Sequence, residues 1–362
     1  MNFNEARSLW ASDAPRLAGL GIHFDGATSY LPDEFRSNYG LAMDAQPALT
    51  TVANSSLPSL FTTFVDPEVT KILFSPNKAA VIFGEVKKGD WLLETTMFPV
   101  VEHTGEVSSY GDYAENGSTG VNMNWPNRQS YLFQTVKQYG DREVERAGLS
   151  KLNFISEIDQ ASVMTMDKFM NLSYFFGIAG LQNYGLLNDP NLSASLTPAT
   201  KAYGGTAWIS GGVVKSTANE IFTDIQSLFY QLQSQAAGNI EKEDAMTLSM
   251  SPDSAVALTA TNSFNVNVED LFKKNFPNMT VKTAVQYGTK TASNSQGIVG
   301  GNLVQLICAS VEGQKTGYCA FSEKQRSHPI IRAMSSYKQK ITAGTWGAVI
   351  RQPFAISSML GI

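Results

Sequence analysis

Three histidines, His23, His103 and His328, are the residues best suited to move protons or hold a metal at neutral pH, and each lies in a different stretch of the chain. A catalytic or zinc-binding cluster would need all three to converge, whereas surface or turn positions need nothing of the kind. The carboxylates Glu94, Glu102, Glu106, Asp112 and Glu115 fall close together in sequence. Two of them could in principle serve as acid and nucleophile in a hydrolysis. A general acid needs burial to raise its pKa, however, and these residues sit among Gly, Ser, Asn and Tyr at what reads as a solvated hairpin tip. Gly313-Gln-Lys-Thr316 lacks the leading glycine and the Gly-Lys pair of a phosphate-binding loop. Gly19-Leu-Gly21 starts a dinucleotide-like pattern but has Phe24 where the third glycine belongs. No Gly-x-Ser-x-Gly nucleophile elbow occurs. The two cysteines, Cys308 and Cys319, lack Cys-x-x-Cys spacing and read as small apolar core residues. Lys87 and Lys88, beside Gly89-Asp90, suit either a neighbour's acidic groups or a solvated turn. No catalytic, cofactor-binding or metal residue is therefore assigned.

Composition narrows the field further. The chain has 362 residues, 43% of them hydrophobic and 10% aromatic, as expected of an ordered globular protein. Lys and Arg number 27 against 32 Asp and Glu, a net charge of -5, which argues against tight binding to nucleic acid through a broad basic face. Charged residues make up only 16%, below the ~25% usual in soluble domains. Uncharged polar surface costs less to desolvate and suits extensive contact with other subunits. The start lacks the basic-then-apolar profile of a signal peptide, and no apolar run approaches the ~20 residues needed to cross a bilayer, so a cytoplasmic protein with no membrane partner is expected.

The elements that would position any site follow from patterning. Residues 1–58 alternate short apolar pieces with breakers such as Leu31-Pro32-Asp33 and Asn54-Ser55-Ser56-Leu57-Pro58, and read as an arm that lies on a partner. Strands are expected near Lys71–Phe74 and Ala80–Phe83. Residues 85–129 read as a long hairpin with limbs Trp91–Phe98 and Val121–Trp125 and a polar, Gly-rich tip over Val107–Gly117. Two strands alone are marginal in water, so a neighbouring surface must support them. Tyr131–Val136 suits a strand and Asp141–Leu149 a short helix. From Leu152 a helix of roughly 25 residues, ~37 Å long, carries Ile155, Ile158, Ser162, Met166, Phe169, Leu172 and Phe176 on one face. It should stop in a fixed change of direction at Tyr184-Gly185-Leu186-Leu187-Asn188-Asp189-Pro190. A Ser, Thr, Gly and Ala-rich crossing to Val214 precedes the capping box Thr217-Ala-Asn-Glu220 and a helix with Ile221, Ile225, Leu228 and Leu232 on its buried face, ending near Gly238. Strands at Met246–Met250, Met279–Val285 and Asn302–Ala309, with helices opening at Ser251-Pro252-Asp253 and over Val268–Asn275, complete an α/β lobe from 217 to about 325. The tail suits strands at Tyr337–Ile341 and Gly347–Ile350, separated at Gly344, and is expected to pair with the first lobe.

This order of parts resembles the major capsid proteins of tailed bacteriophages with the Hong Kong 97 fold. The most specific residues are Tyr184–Pro190 after the long helix, with Phe276-Pro277-Asn278 and the ending Gly344–Pro353. The resemblance implies an α+β chain of the Hong Kong 97 type. Its N-arm would be residues 1–58; residues 59–84 would open the P-domain, and 85–129 would form the extended E-loop hairpin. Residues 130–216 would hold the P-domain with its long spine helix, 217–325 the α/β A-domain, and 326–362 the return strands of the P-domain. The function implied is a non-enzymatic structural protein that self-assembles as hexamers and pentamers into an icosahedral head shell enclosing phage double-stranded DNA with weak contact. It would be made in the bacterial host cytoplasm and end in the virion. Scaffolding, portal and cement proteins are the further partners the family brings. Some relatives carry a long cleaved N-terminal scaffolding region; with only residues 1–58 ahead of the first lobe, none of that size is expected here. Others cross-link a Lys to an Asn between subunits; Lys87, Lys88, Asn116 and Asn122 offer the atoms but nothing aligns them. The competing readings are an encapsulin-like nanocompartment shell and, more distantly, a cytosolic acidic-pair hydrolase.

Overall fold

The chain is described by a computed structural model over residues 76–149 and 153–362. The arm expected over 1–58 and the strand expected at Lys71–Phe74 lie outside the described residues.

The first described element is a helix, α1 (Ala79–Phe83), where sequence alone suggests a strand. The run Ala-Ala-Val-Ile-Phe is too short to show a period, and a distant residue decides: Asn171 Oδ1 accepts hydrogen bonds from the amides of Lys78 and Ala79 at 3.1 and 3.0 Å, satisfying donors that a helix start leaves open. Next come β1 (Glu85–Lys87) and the hairpin strands β2 (Thr95–Met97), β3 (Val100–Glu106), β4 (Ser118–Asn124) and β5 (Asn127–Gln129). The first limb is thus later than expected. Trp91 to Leu93 form a turn held by Asp90, whose Oδ1 accepts from the Trp91 amide at 2.7 Å and whose carbonyl accepts from Leu93 at 3.1 Å.

β6 (Tyr131–Gly140) and α2 (Asp141–Leu149) lead to α3 (Phe154–Phe176), the long helix. Its 23 residues span ~35 Å. Only part of the expected face is deeply buried: Ser162 and Met166 are, Phe169, Leu172 and Phe176 are half-buried, and Ile155 is exposed. Met170, Asn171, Tyr174 and Phe175 are buried as well, because the C-terminal half of the helix is covered by α1 and by two sheets.

The first sheet has the order β1, β14 (Gly317–Ser327), β16 (Ser336–Ile350) and β15 (Ile331–Ala333), with β6 also paired to β16. β16 is one strand of 15 residues, not two separated at Gly344. A Cβ at Gly344 would fall 2.2 Å from Ser322 Oγ and 2.7 Å from Leu132 Cδ2, so this glycine marks a close approach of neighbouring strands and not a break.

A short hairpin, β7 (Ile209–Ser210) with β8 (Val213–Val214), precedes α4 (Ala218–Gln235), which starts with the expected reciprocal Thr217–Glu220 capping box. β9 (Met246–Met250), α5 (Pro252–Val256), α6 (Val268–Asn275) and β10 (Met279–Thr283) follow, with β9 and β10 parallel. β11 (Leu303–Cys308) runs antiparallel to β9, and a small hairpin of β12 (Ser310–Val311) and β13 (Gln314–Lys315) leads back to β14. The last strand, β17 (Ile356–Leu360), does not join the first sheet as expected of the tail; it completes the second, in the order β10, β9, β11, β17. Residues 317–325, assigned by sequence to the α/β lobe, lie instead in β14 of the first sheet.

One core packs α4 against the second sheet through Ile221, Ile225, Leu228 and Leu232 with Leu248, Met250 and Leu306. A second core fills the space between α3, the first sheet and the opposite face of the second, where Phe175, Leu186, Tyr287, Ile307 and Ile356 meet. Tyr287 donates to Gln305 Oε1 at 2.7 Å, so its buried hydroxyl is paired.

Candidate assembly surface

The turn after α3 explains how a hairpin can be rooted in this fold. The chain doubles back so that the amides of Leu186 and Leu187 donate to Tyr174 and Phe175 at 2.8 and 3.0 Å, satisfying carbonyls that the helix end leaves open. Asn188 accepts from the Gly185 amide at 2.7 Å through Oδ1 and donates to Phe176 through Nδ2. A Cβ at Gly185 would lie 2.2 Å from the Phe175 carbonyl oxygen, so only glycine permits this return. Asp189, with a fully buried side chain, then meets Arg128 of β5 at 2.6 Å, and the Arg128 guanidinium lies 4.6 Å from the Tyr184 ring centre. A buried carboxylate of this kind is tolerable only when paired, so the turn and the hairpin base are locked to one another.

Other contacts hold the same base. Phe98 packs with Tyr318, Trp346 and Val349, and the Trp346 indole donates to the Lys88 carbonyl at 2.9 Å. The amides of Phe98 and Ser130 donate to the carbonyls of Pro126 and Glu94 at 2.9 and 2.8 Å. Beyond this base the support ends. Every residue of β3 and β4 is exposed, although seven pairs from Val100–Asn124 to Glu106–Ser118 keep them in register. Because cross-strand partners share a face, Val101 with Met123 and His103 with Val121 make an apolar face, while Glu102 with Asn122 and Glu106 with Ser118 make a polar one. The tip carries Val107, Tyr110 and Tyr113 at 97, 93 and 100% exposure. Single exposed apolar residues are ordinary, but a projecting two-stranded ribbon with one apolar face is not self-sufficient.

The sequence-level candidates for chemistry do not converge. His103 is exposed on β3, and His328 contacts Thr342 Oγ1 at 3.1 Å; His23 lies outside the described residues. Glu94, Glu102, Glu106, Asp112 and Glu115 are all exposed along the hairpin. Among the described residues, no group of three or more His, Cys, Asp or Glu side chains could hold a metal ion. Cys308 and Cys319 are buried free thiols, both pushed up by burial; a contact with Ser310 opposes the shift at Cys308, and Glu85 adds to it at Cys319. Lys88 lies 5.4 Å from the Tyr318 ring centre, and Lys87 is exposed on β1. Tyr174, which donates to Glu85 at 2.9 Å, has its hydroxyl pushed far up by burial and by that carboxylate. An open groove of about 780 Å³ beside α3 is lined by apolar residues such as Leu172, Phe176, Ile298 and Leu360 together with polar ones such as Asn188, Lys290 and Gln305. Among the described residues, no helix is long and apolar enough to cross a membrane.

Sequence reading missed two buried ion pairs. One is Arg128–Asp189. The other is Lys201–Asp224, where Lys201 Nζ lies 2.6 Å from both carboxylate oxygens and the Trp208 indole donates to Oδ2 at 2.7 Å. An acidic residue inside the apolar face of α4 was the available signal, since a charge there requires a partner.

A protein-family profile described as the Pa193 gp26 major capsid protein matches residues 48–361. The chain belongs to this major capsid protein family. Solved structures agree with the fold this capsid protein adopts. It is similar to the capsid of Myoviridae phage XM1, with 12% identity and a TM-score of 0.68 over 86% of this chain and 100% of that one. The capsid of the native GTA particle is similar at 11% identity and a TM-score of 0.54, covering 86% of this chain and 99% of that one. Mycobacterium phage Ogopogo gives 12% identity and 0.53, again over 86% and 99%. No curated protein sequence matches significantly. The fold is of the Hong Kong 97 type, and the protein is a shell-forming capsid component of a virion.

Proposed function

We propose that this capsid protein closes its shell through distributed burial between copies, with the β3–β4 hairpin laid across an adjacent subunit and residues 1–58 acting as a second clasp. The observation that carries this reading is the contrast along the hairpin: a base fixed by Arg128–Asp189 and Phe98, and a distal ribbon exposed on both faces. A large shared area, not an active site, supplies the stabilisation. In this reading the first sheet and α3 form the P-domain, the lobe built on the second sheet forms the A-domain, and copies gather as hexamers and pentamers. The protein has no enzymatic activity of its own, is made in the host cytoplasm, and encloses double-stranded DNA with weak contact, consistent with its net charge of -5. Scaffolding, portal and cement proteins complete the partner set.

Deletion of residues 105–120 tests the hairpin directly. The variant is expected to remain a folded subunit by circular dichroism and gel filtration and to form no shells in electron micrographs. Normal shells from the deletion would overturn the reading.

A further inference from the structure

The dipeptide Asn-Gly occurs once in the chain, at Asn116-Gly117 in the hairpin tip, and both residues are exposed. The pairing matters because glycine has no side chain to hold its amide nitrogen away from the preceding carboxamide, and its backbone reaches conformations closed to other residues. The fold needs a glycine here. Gly117 has a φ of 100°, and a Cβ on it would lie 3.3 Å from the Glu106 carbonyl oxygen.

The two groups that could react are also free. Among the described residues, neither the Asn116 carboxamide nor the Gly117 amide makes a hydrogen bond. Other asparagines are engaged: Asn122 Nδ2 donates to Glu102 at 3.2 Å, and Asn124 Oδ1 accepts from the Trp125 amide at 2.8 Å. Asn188 is tied through both side-chain polar atoms, and Asn294 Nδ2 donates to the Val285 carbonyl at 2.9 Å. The hydrogen bond that Asn116 does make is through its main chain, where Ser108 Oγ donates to its carbonyl oxygen at 3.1 Å. The peptide bond is conjugated, so this oxygen shares the negative charge when the Gly117 amide loses its proton. A hydrogen bond to the charged form favours it, and the Ser108 hydroxyl therefore raises the share of nucleophilic nitrogen. Glu106, Asp112 and Glu115 oppose that anion, but all three are exposed and salt screens them.

We infer that Asn116 is a self-modification site of the hairpin tip, primed by Ser108. The deprotonated Gly117 nitrogen attacks Asn116 Cγ and forms a C–N bond. The Cγ–Nδ2 bond breaks, Nδ2 takes up a proton and leaves as ammonia, and a five-membered succinimide closes. Water then opens the ring at either carbonyl, leaving aspartate or isoaspartate at position 116. Either product adds negative charge to a hairpin that has no Lys or Arg between residues 89 and 127. Isoaspartate also lengthens the backbone by one methylene just before Ser118, where the β3–β4 pairing ends. The tip thus changes chemically with age, independently of what the hairpin clasps.

Ageing of the purified full-length chain at neutral pH, followed by digestion in mildly acidic buffer and mass spectrometry, tests the assignment. The peptide containing Asn116 is expected to gain about 1 Da per conversion, with isoaspartate revealed by enzymatic carboxyl methylation. Its rate in the folded chain should approach that of the same peptide in isolation, while peptides containing Asn122, Asn188 and Asn294 stay unchanged over the same interval. Ser108→Ala is expected to slow the conversion severalfold, and Asn116→Ser to abolish it. An Asn116 peptide that stays unchanged in the folded chain, or converts no faster than those containing Asn188 and Asn294, would overturn the inference. Equal rates in wild type and Ser108→Ala would overturn the priming by Ser108.

Discussion

The lobe built on the second sheet and the β3–β4 hairpin solve the problem of burial in opposite ways. In the lobe, Ile221, Ile225, Leu228 and Leu232 are fully buried, the α4 start is closed by its own capping box, and Asp224 has both Lys201 and Trp208. In the hairpin, hydrogen bonds between two strands are complete while Val101, Val121 and Met123 stay 46, 51 and 62% exposed. The subunit's own stability therefore resides in the lobe and in the core around α3, while the hairpin holds apolar surface that the described residues leave exposed. A shell protein needs both, since the subunit must fold before it meets its copies.

Substitutions should separate the two regions sharply. The largest effect is expected from Asp224→Ala, which strands a buried ammonium and removes the acceptor of Trp208; loss of one partner of a buried pair costs about 3–5 kcal/mol, read by urea unfolding of the subunit. Arg128→Ala should cost a similar amount by stranding Asp189, and should also speed hydrogen exchange across Thr95–Met97 and Asn127–Gln129, which Asp224→Ala should not. Leu228→Ala should cost about 2–5 kcal/mol through the cavity it leaves in the lobe. Thr217→Ala should cost about 1 kcal/mol by opening the cap of α4. At the small end, Val101→Ala with Met123→Ala should change subunit stability by no more than about 0.5 kcal/mol per site, yet lower shell yield. A hairpin pair that destabilised the isolated subunit as much as Leu228→Ala would erase the contrast.

Much of this was legible in the residues because the decisive signals are local. Thr217 and Glu220, three positions apart, announce the α4 start, and the Gly-rich stretch Val107–Gly117 marks the hairpin tip. The turn at Tyr184–Pro190 could be seen as a turn, but not that Asp189 reaches Arg128, 61 positions earlier. The same distance in sequence hid α1, whose start is closed by Asn171, 92 positions away from Ala79. Gly344 looked like a break because its value is the close approach of Ser322 and Leu132, neither of them near in sequence. The tail was assigned to one sheet because strand character says nothing of the partner; Pro353 starts a short turn after β16, and Ile356–Leu360 then crosses to β11. For the assembly surface, the absence of Lys and Arg from 89–127 was visible in the chain, while the rooting of the hairpin base on Asp189 and Trp346 needed the fold.

The most direct test is hydrogen exchange of the amides in Val100–Glu106 and Ser118–Asn124, compared between unassembled subunits and shells. Strands exposed on both faces should open readily in the subunit and exchange quickly, while the lobe around α4 is protected in both states; in shells the hairpin amides should slow strongly. Hairpin amides already as slow in the lone subunit as in the shell would contradict the claim that this ribbon is completed by its copies.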